Sequence, residues 1–328
     1  MAFGTPPVPM GYIGYCQFDV GNISNGLIGQ NTSHLYQARV TSCDLKLSQE
    51  VNKPNVYDIF YDRNVIQYLP EKIEGSIEYP VVINDTVRGE DPTETLWNLT
   101  ARRNYYGRLD PFNILVKHSN INSTFRFLDC YVNTFNFNVK AEDIIRINVN
   151  IFGKSREFYN FQRKSIPNGK IATWDNAIVA LRTPQFSVGG EYIRQFEVTV
   201  NNSLERYYTS SGRRILQVKD ISPRNRDIDG KVVLMGRHPN LAQYSLDNPA
   251  RCYEYSVVEF GYQSYCVGCS TSACAIDIDG FLAKIPNVVF RIEEISLADD
   301  IFETAIDWTS LPADNEISTI SQGVGFVF

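Results

Sequence analysis

The residues best spaced for chemistry are cysteines. Cys266-Val267-Gly268-Cys269 is a C-x-x-C, the spacing that lets two thiolates reach one tetrahedral ion, and Cys252 and Cys274 flank it. A zinc knot would need all four, but the second pair lacks that spacing. A disulfide within the loop or between subunits is a second state open to these residues, and free thiols in a loop of small residues are the third. Cys16, Cys43 and Cys130 bring the count to seven. An odd number without a secretory signal leads us to expect synthesis in a reducing cytosol.

Other spacings point away from catalysis. His34, His118 and His238 are the only histidines, far apart and each beside a loop residue. They read as turn or surface residues rather than as a triad or a metal site. G-x-S-x-G, H-E-x-x-H, the Walker loop and G-x-G-x-x-G are absent. Asp277-x-Asp279-Gly280 opens like a calcium loop. Phe281 then stands at the third oxygen position and Val288 at the place of the closing glutamate, so an alternating strand entering a turn accounts for it better. The expectation is a protein that is not an enzyme and binds no cofactor or metal. The acidic residues Glu71, Glu74, Glu78, Asp227 and Asp229 lie on or beside two Gly-containing strands. They suit a solvated sheet face, or a negative surface turned toward something that must not stick.

The elements that carry these residues are mostly strands. Alternation at period 2 recurs in Ile73-x-Gly75-x-Ile77-x-Tyr79, Phe135-x-Phe137-x-Val139, Ile145-x-Ile147-x-Val149-x-Ile151 and Val288-x-Phe290-x-Ile292. The supply of 19 Tyr and 19 Phe against 3 Met leans the same way. One segment reads as a helix, Asp91-Pro92 through Arg102-Arg103. It has a capping Asp, Pro at the first helical position and Glu94 in the first turn, with cations at the end. Pro239 to Leu246 is a weaker counterpart.

Four segments repeat in order. Asp44-Leu45-Lys46-Leu47 matches Glu197-Val198-Thr199-Val200 at an offset of 153 residues, and Ile73-Glu74-Gly75-Ser76-Ile77 matches Ile228-Asp229-Gly230-Lys231-Val232 at 155. The Pro92 helix matches the Pro239 helix at 147, and Ala141-Glu142-Asp143-Ile144 matches Ala298-Asp299-Asp300-Ile301 at 157. The changes in offset place loop insertions, and the cysteine cluster falls in one on the second copy. The expected class is all-β: two tandem copies of a β-sandwich or barrel domain, each with one short flanking helix. The expected divisions are an arm (1–32), a first β domain (33–158), a linker (159–188), a second β domain (189–311) and a tail (312–328). The tail ends in Gly323-Val324-Gly325-Phe326-Val327-Phe328, an apolar stretch expected to dock on its own domain or a neighbouring subunit.

Composition excludes other classes. Of 328 residues, 43% are apolar and 21% charged, enough for packed cores. The net charge of −6 arises in the second half, because the first 164 residues hold 17 cations and 17 acids. Nucleic-acid backbone binding needs clustered Lys and Arg, which this distribution lacks. No apolar run is long enough to span a membrane as a helix.

The order of elements resembles the tail tube proteins of tailed bacteriophages, particularly those with two tube domains in one chain. The resemblance rests on Asp44-Leu45-Lys46-Leu47, then Glu74-Gly75-Ser76-Ile77-Glu78-Tyr79-Pro80, then the short helix Thr93-Glu94-Thr95-Leu96-Trp97-Asn98-Leu99, then Asn148-Val149-Asn150-Ile151-Phe152-Gly153. It implies a virion protein, made in the bacterial cytoplasm. Its rings, of three chains with pseudo-sixfold geometry, would stack into a channel for the genome. The implied partners are further copies of itself, the tape measure, terminator and baseplate proteins, a sheath where there is one, and double-stranded DNA in passage without specific binding. Glu71, Glu74, Glu78, Asp227 and Asp229 then become candidates for the channel lining, where acids repel the polymer. Arg102, Arg103, Arg213 and Arg214 would face elsewhere. Two other readings remain: another ring subunit of a virion or injection machine, such as a baseplate or tail terminator component, and a carbohydrate-binding or hydrolytic β-sandwich.

Overall fold

A computed structural model of the chain describes residues 14–22, 29–52, 67–83, 92–103, 106–117, 124–158, 170–183, 187–189, 192–211, 215–235, 256–263, 280–298, 301–310 and 318–320. The first-half strands are β1 (Gly14–Asn22), β2 (Gly29–Val40), β3 (Ser42–Cys43), β4 (Lys46–Asn52), β5 (Gln67–Pro80) and β6 (Val82–Ile83). The helix α1 (Pro92–Ala101) follows, then β7 (Phe112–Lys117), β8 (Thr124–Lys140), β9 (Arg146–Gly153) and β10 (Ser155–Phe158). The second half holds β11 (Lys170–Ile171), β12 (Ala177–Arg182), β13 (Ser187–Gly189), β14 (Ile193–Asn201), β15 (Glu205–Ser211), β16 (Ile215–Ser222) and β17 (Asp227–Met235). It closes with β18 (Val257–Gln263), β19 (Gly280–Pro286), β20 (Val288–Ala298), β21 (Ile301–Ser310) and β22 (Ser318–Ile320). The described chain is therefore all-β with one α-helix, in antiparallel sheets with a β-sandwich-like core.

Strand order follows one scheme in each half. In the first, β4 pairs β5, β5 pairs β9 and β9 pairs β8. In the second, β14 pairs β17, β17 pairs β21 and β21 pairs β20. A second layer runs β2-β1-β7-β8-β10 in the first half and β13-β12-β18-β19-β22 in the second. The 17-residue β8 serves both layers, because its start pairs β7 and β10 and its end pairs β9 and β14. It changes layer at Asp129, whose φ is 48°. In the second half the corresponding run breaks into β19 and β20 at Asn287, with φ 55°. Asp and Asn are the side-chain-bearing residues that best tolerate this left-handed conformation.

The segments matched in sequence also share register. Lys46 faces Glu74 and Leu47 faces Ile73, as Thr199 faces Asp229 and Val200 faces Ile228. Phe135 faces Val149 as Ile292 faces Ile306. Both central glycines permit close approach. A Cβ on Gly75 would stand 2.5 Å from Leu45 Cα, and one on Gly230 would overlap the Trp308 ring and stand 2.5 Å from Glu197 O. No side chain fits either gap, so both strands keep Gly.

The core runs unbroken through both halves. Trp97 of α1 is fully buried and meets Phe135 edge-on at 5.5 Å, Phe260 at 5.1 Å and Phe281 at 6.3 Å. Those partners lie on β8, β18 and β19, so one helix packs against strands of both halves. Only this explains why Pro92, Thr93, Leu96, Trp97, Leu99, Thr100 and Ala101 are all buried, beyond what a single apolar stripe would bury.

Several expected divisions are occupied by strands. Of the arm 1–32, residues 14–22 and 29–32 belong to β1 and β2. Of the linker 159–188, β11 pairs β6, and β12 and β13 join the second layer. Ala172 N donates to Val81 O at 2.9 Å, holding the start of this segment against the first half. The helix expected at 239–246, Cys252, Cys266, Cys269, Cys274, Asp277, Asp279, His118, His238, Arg213, Arg214 and the apolar tail end lie outside the described residues.

Candidate functional site

The pairing β8–β14 joins the two sets of four strands edge to edge, giving the order β4-β5-β9-β8-β14-β17-β21-β20. Alternation turns Ile77, Val149, Phe135, Val198, Ile228 and Ile306 inward to the core. The other residues form transverse rows on the opposite face. One row reads Ser42, Glu78, Asn148, Asn136, Thr199, Asp229, Thr309, Val289. A neighbouring row reads Arg146, Asn138, Glu197, Lys231, Asp307, Arg291. On the other side of the first lies Ser76, Asn150, Thr134, Asn201, Asp227. The face is thus polar across both halves, and carboxylates outnumber cations in these rows.

Glu74, Glu78, Asp227 and Asp229, matched in sequence only as pieces of two strands, share this one face. Alternation places Glu71 on the other side with Ile73 and Ile77, exposed near the strand's end. Glu74, Glu78 and Glu197 of this face are held. Arg146 pairs Glu78 at 3.3 Å and Asp143 at 3.7 Å. Asn136 Nδ2 donates to Glu197 at 2.7 Å and to Thr199 at 2.9 Å across the junction of the halves. Ser76 Oγ donates to Asp44 at 3.1 Å, and Ser76 N also donates to that carboxylate. Asp229 forms no ion pair with any described residue. It lines a concavity of about 480 Å³ with Glu197, Thr199, Lys231, Val289, Arg291, Asp307 and Thr309.

The same face of the first half is covered. The two-stranded ribbon β15–β16 leaves the end of β14 and folds back over β8, β9 and β5. Leu204 and Ile221 pack with Leu109, Tyr131, Phe152 and Val218 in an apolar cluster separate from the main core. Arg206 lies 3.8 Å over the Phe152 ring, and its Nη2 donates to Ile73 O at 2.9 Å and to Glu74 at 3.1 Å. Asn202, fully buried, pins the base of the ribbon: Nδ2 donates to Thr100 O at 3.1 Å and Val132 O at 3.2 Å, and Arg226 Nε donates to its Oδ1 at 3.3 Å. At the rim, Arg108 pairs Asp220 at 3.3 Å and Arg224 Nε donates to Glu205 at 2.7 Å. Burial, reinforced by Asp129 and Asp220, pushes the Tyr131 phenol up to about 12. Burial, reinforced by Asp129, raises the Cys130 thiol far above its ordinary value, so this cysteine stays protonated and inert.

No protein-family model matches the chain, and no curated protein matches it. The arrangement must therefore be read from its own geometry. Among the described residues no group of three or more His, Cys, Asp and Glu is placed to hold a metal ion, and no helix is long and apolar enough to cross a membrane.

Sequence reading missed two features. The ribbon's contacts with the first half rest on Arg206, whose place in the chain carries no motif. Glu259, on β18, is 6% exposed and meets Arg182 at 3.0 Å and Lys284 at 2.6 Å. Its one signal is an acid inside the apolar run Val257-Val258-Glu259-Phe260, which calls for partners on adjacent strands.

Proposed function

We propose that the chain is a structural subunit of a tail tube of the bacteriophage type, made of two tandem β-sandwich domains and closed into rings by further copies of itself. The observation that carries this reading is the junction between the halves. The β8 edge of one set of four strands accepts β14, the leading strand of the next. In strand order β20 holds the place of β8, and β4 that of β14. Among the described residues neither β20 nor β4 has a partner on its outer edge. An edge of this kind is a template for another chain. Repeating the internal junction joins β20 of one chain to β4 of the next. Three chains of eight such strands would close a ring with pseudo-sixfold symmetry.

The part of the polar face outside the β15–β16 ribbon then lines the ring. Its carboxylates outnumber Arg146, Lys231 and Arg291 and alternate with them, so double-stranded DNA would meet no continuous cationic track. The chain would act without a cofactor, in the virion tail. Its neighbours there would be a tape measure inside, terminator and baseplate proteins at the ends, and a sheath where the tail contracts. Negative-stain electron microscopy of concentrated protein tests this. Long hollow tubes are the expected result. Single rings that never stack would favour a terminator or baseplate component, and a monomer at every concentration would contradict the proposal.

A further inference from the structure

We infer that β20 of one chain meets β4 of a second copy with Arg291 opposite Ser48. The inference rests on the ring reading, which names the two edges, and adds the register at which they join. The internal junction supplies that register. β8 and β14 run antiparallel, and their pairing ends on Thr134 opposite Asn201. Each of these residues has a counterpart at a free edge. Val200 faces Ile228 and Asn201 faces Asp227, as Leu47 faces Ile73 and Ser48 faces Lys72. Ser48 therefore holds the place of Asn201, at the repeat offset of 153 residues. Thr134 faces Asn150, which faces Ser76; Arg291 faces Asp307, which faces Lys231. Ser76 and Lys231 are matched in sequence, so Arg291 holds the place of Thr134.

Burial and charge favour the same register. Ser48 and Arg291 both lie on the polar face, whereas Leu47 packs on the core and Phe290 is buried. A slip of one residue would set Arg291 opposite Leu47 and join core positions to polar ones along the edge. A slip of two residues toward the start of β4 would set Arg291 directly opposite Lys46, a repulsive pair of like charges. Arg291 also lines the concavity, so this register carries the concavity to the boundary between two chains.

Two experiments test the register. Directly opposed residues of an antiparallel pair stand about 4.5–5.5 Å apart between Cα atoms, within disulfide reach. Ser48→Cys with Arg291→Cys should therefore crosslink chains under mild oxidation, giving dimers and trimers on non-reducing gels. Ser48→Cys with Val289→Cys, two residues out of register, should not, and the single variants control for the native cysteines. Ser48 is half-buried and Arg291 exposed, so neither change enters the core. Independently of any disulfide, Ser48→Lys should weaken association by about threefold at low salt, and adding Arg291→Glu to it should restore association. Crosslinking through Val289→Cys instead would overturn the register. So would full association with neither the Arg291→Cys crosslink nor a response to Ser48→Lys, while leaving the ring reading intact. Chains that stay monomeric at every concentration would overturn both.

Discussion

In each half four strands pair in the same order and the segments matched in sequence share register, yet the polar faces differ. Over β5 and β9 the face carries the β15–β16 ribbon, with Arg206 on Glu74. Over β17 and β21 it forms a concavity in which Asp229 shares the lining with Lys231 and Arg291, without an ion pair to a described residue. The backbone scheme does not explain the difference, because it is common to both. What differs is the ribbon that continues β14: it folds back on the first half, and Arg206 reaches Glu74 and Phe152 there. The contrast shows that one strand scheme can carry two different polar surfaces.

The largest effect should come from the residue that unites the halves. Trp97→Ala empties a site shared by Phe135, Phe260 and Phe281, and should cost about 3–5 kcal/mol in urea unfolding. One cooperative transition should move, reported alike by probes in both halves. Two separate transitions would break the claim of a common core.

Next come the glycines. Gly75→Ala and Gly230→Ala should each cost about 1–3 kcal/mol by overpacking. They should part in a Trp308→Ala background. The cost at Gly230 should fall there, because the Trp308 ring is the nearest obstacle, while the cost at Gly75, set by the Leu45 backbone, should not. Equal behaviour would show that the two gaps are filled alike.

Arg206→Ala should cost about 1–2 kcal/mol and expose Phe152, without touching the second half. Smaller still is a pH effect. Burial lifts the Tyr131 phenol from its ordinary 10.0 to about 12, so the native state favours its protonated form. The sign follows from linkage: this contribution is whole below pH 10 and declines as pH rises toward 12. Tyr131→Phe should flatten that part of the stability curve.

Much of the frame was legible in sequence because alternation is a local signal. Ile147, Val149 and Ile151 declare a half-buried strand without reference to the rest of the chain. The repeated glycines were also legible, and pairing register gave Gly75 and Gly230 equivalent positions. The edge strands were not. In β1 and β2, Gly14, Gly21, Gly29, Asn22 and Asn31 interrupt the pattern, so 1–32 reads as an arm although much of it pairs. Glu71 shows the complementary limit. Proximity to Glu74 suggested one surface, but an odd spacing in a strand puts it on the other side. The seat of Arg206 could not be read at all, since its partners Ile73 and Glu74 lie more than a hundred residues away.

The central claim is that β20 of one chain pairs β4 of the next as β8 pairs β14 within the chain. Cryo-electron microscopy of the assembled protein tests it most directly. The account predicts a ring of three chains whose inner wall is one continuous sheet of twenty-four strands, eight from each chain, with β20 hydrogen-bonded to β4 at every chain boundary. A ring joined through other surfaces, or a particle that leaves both edges in solvent, would contradict it.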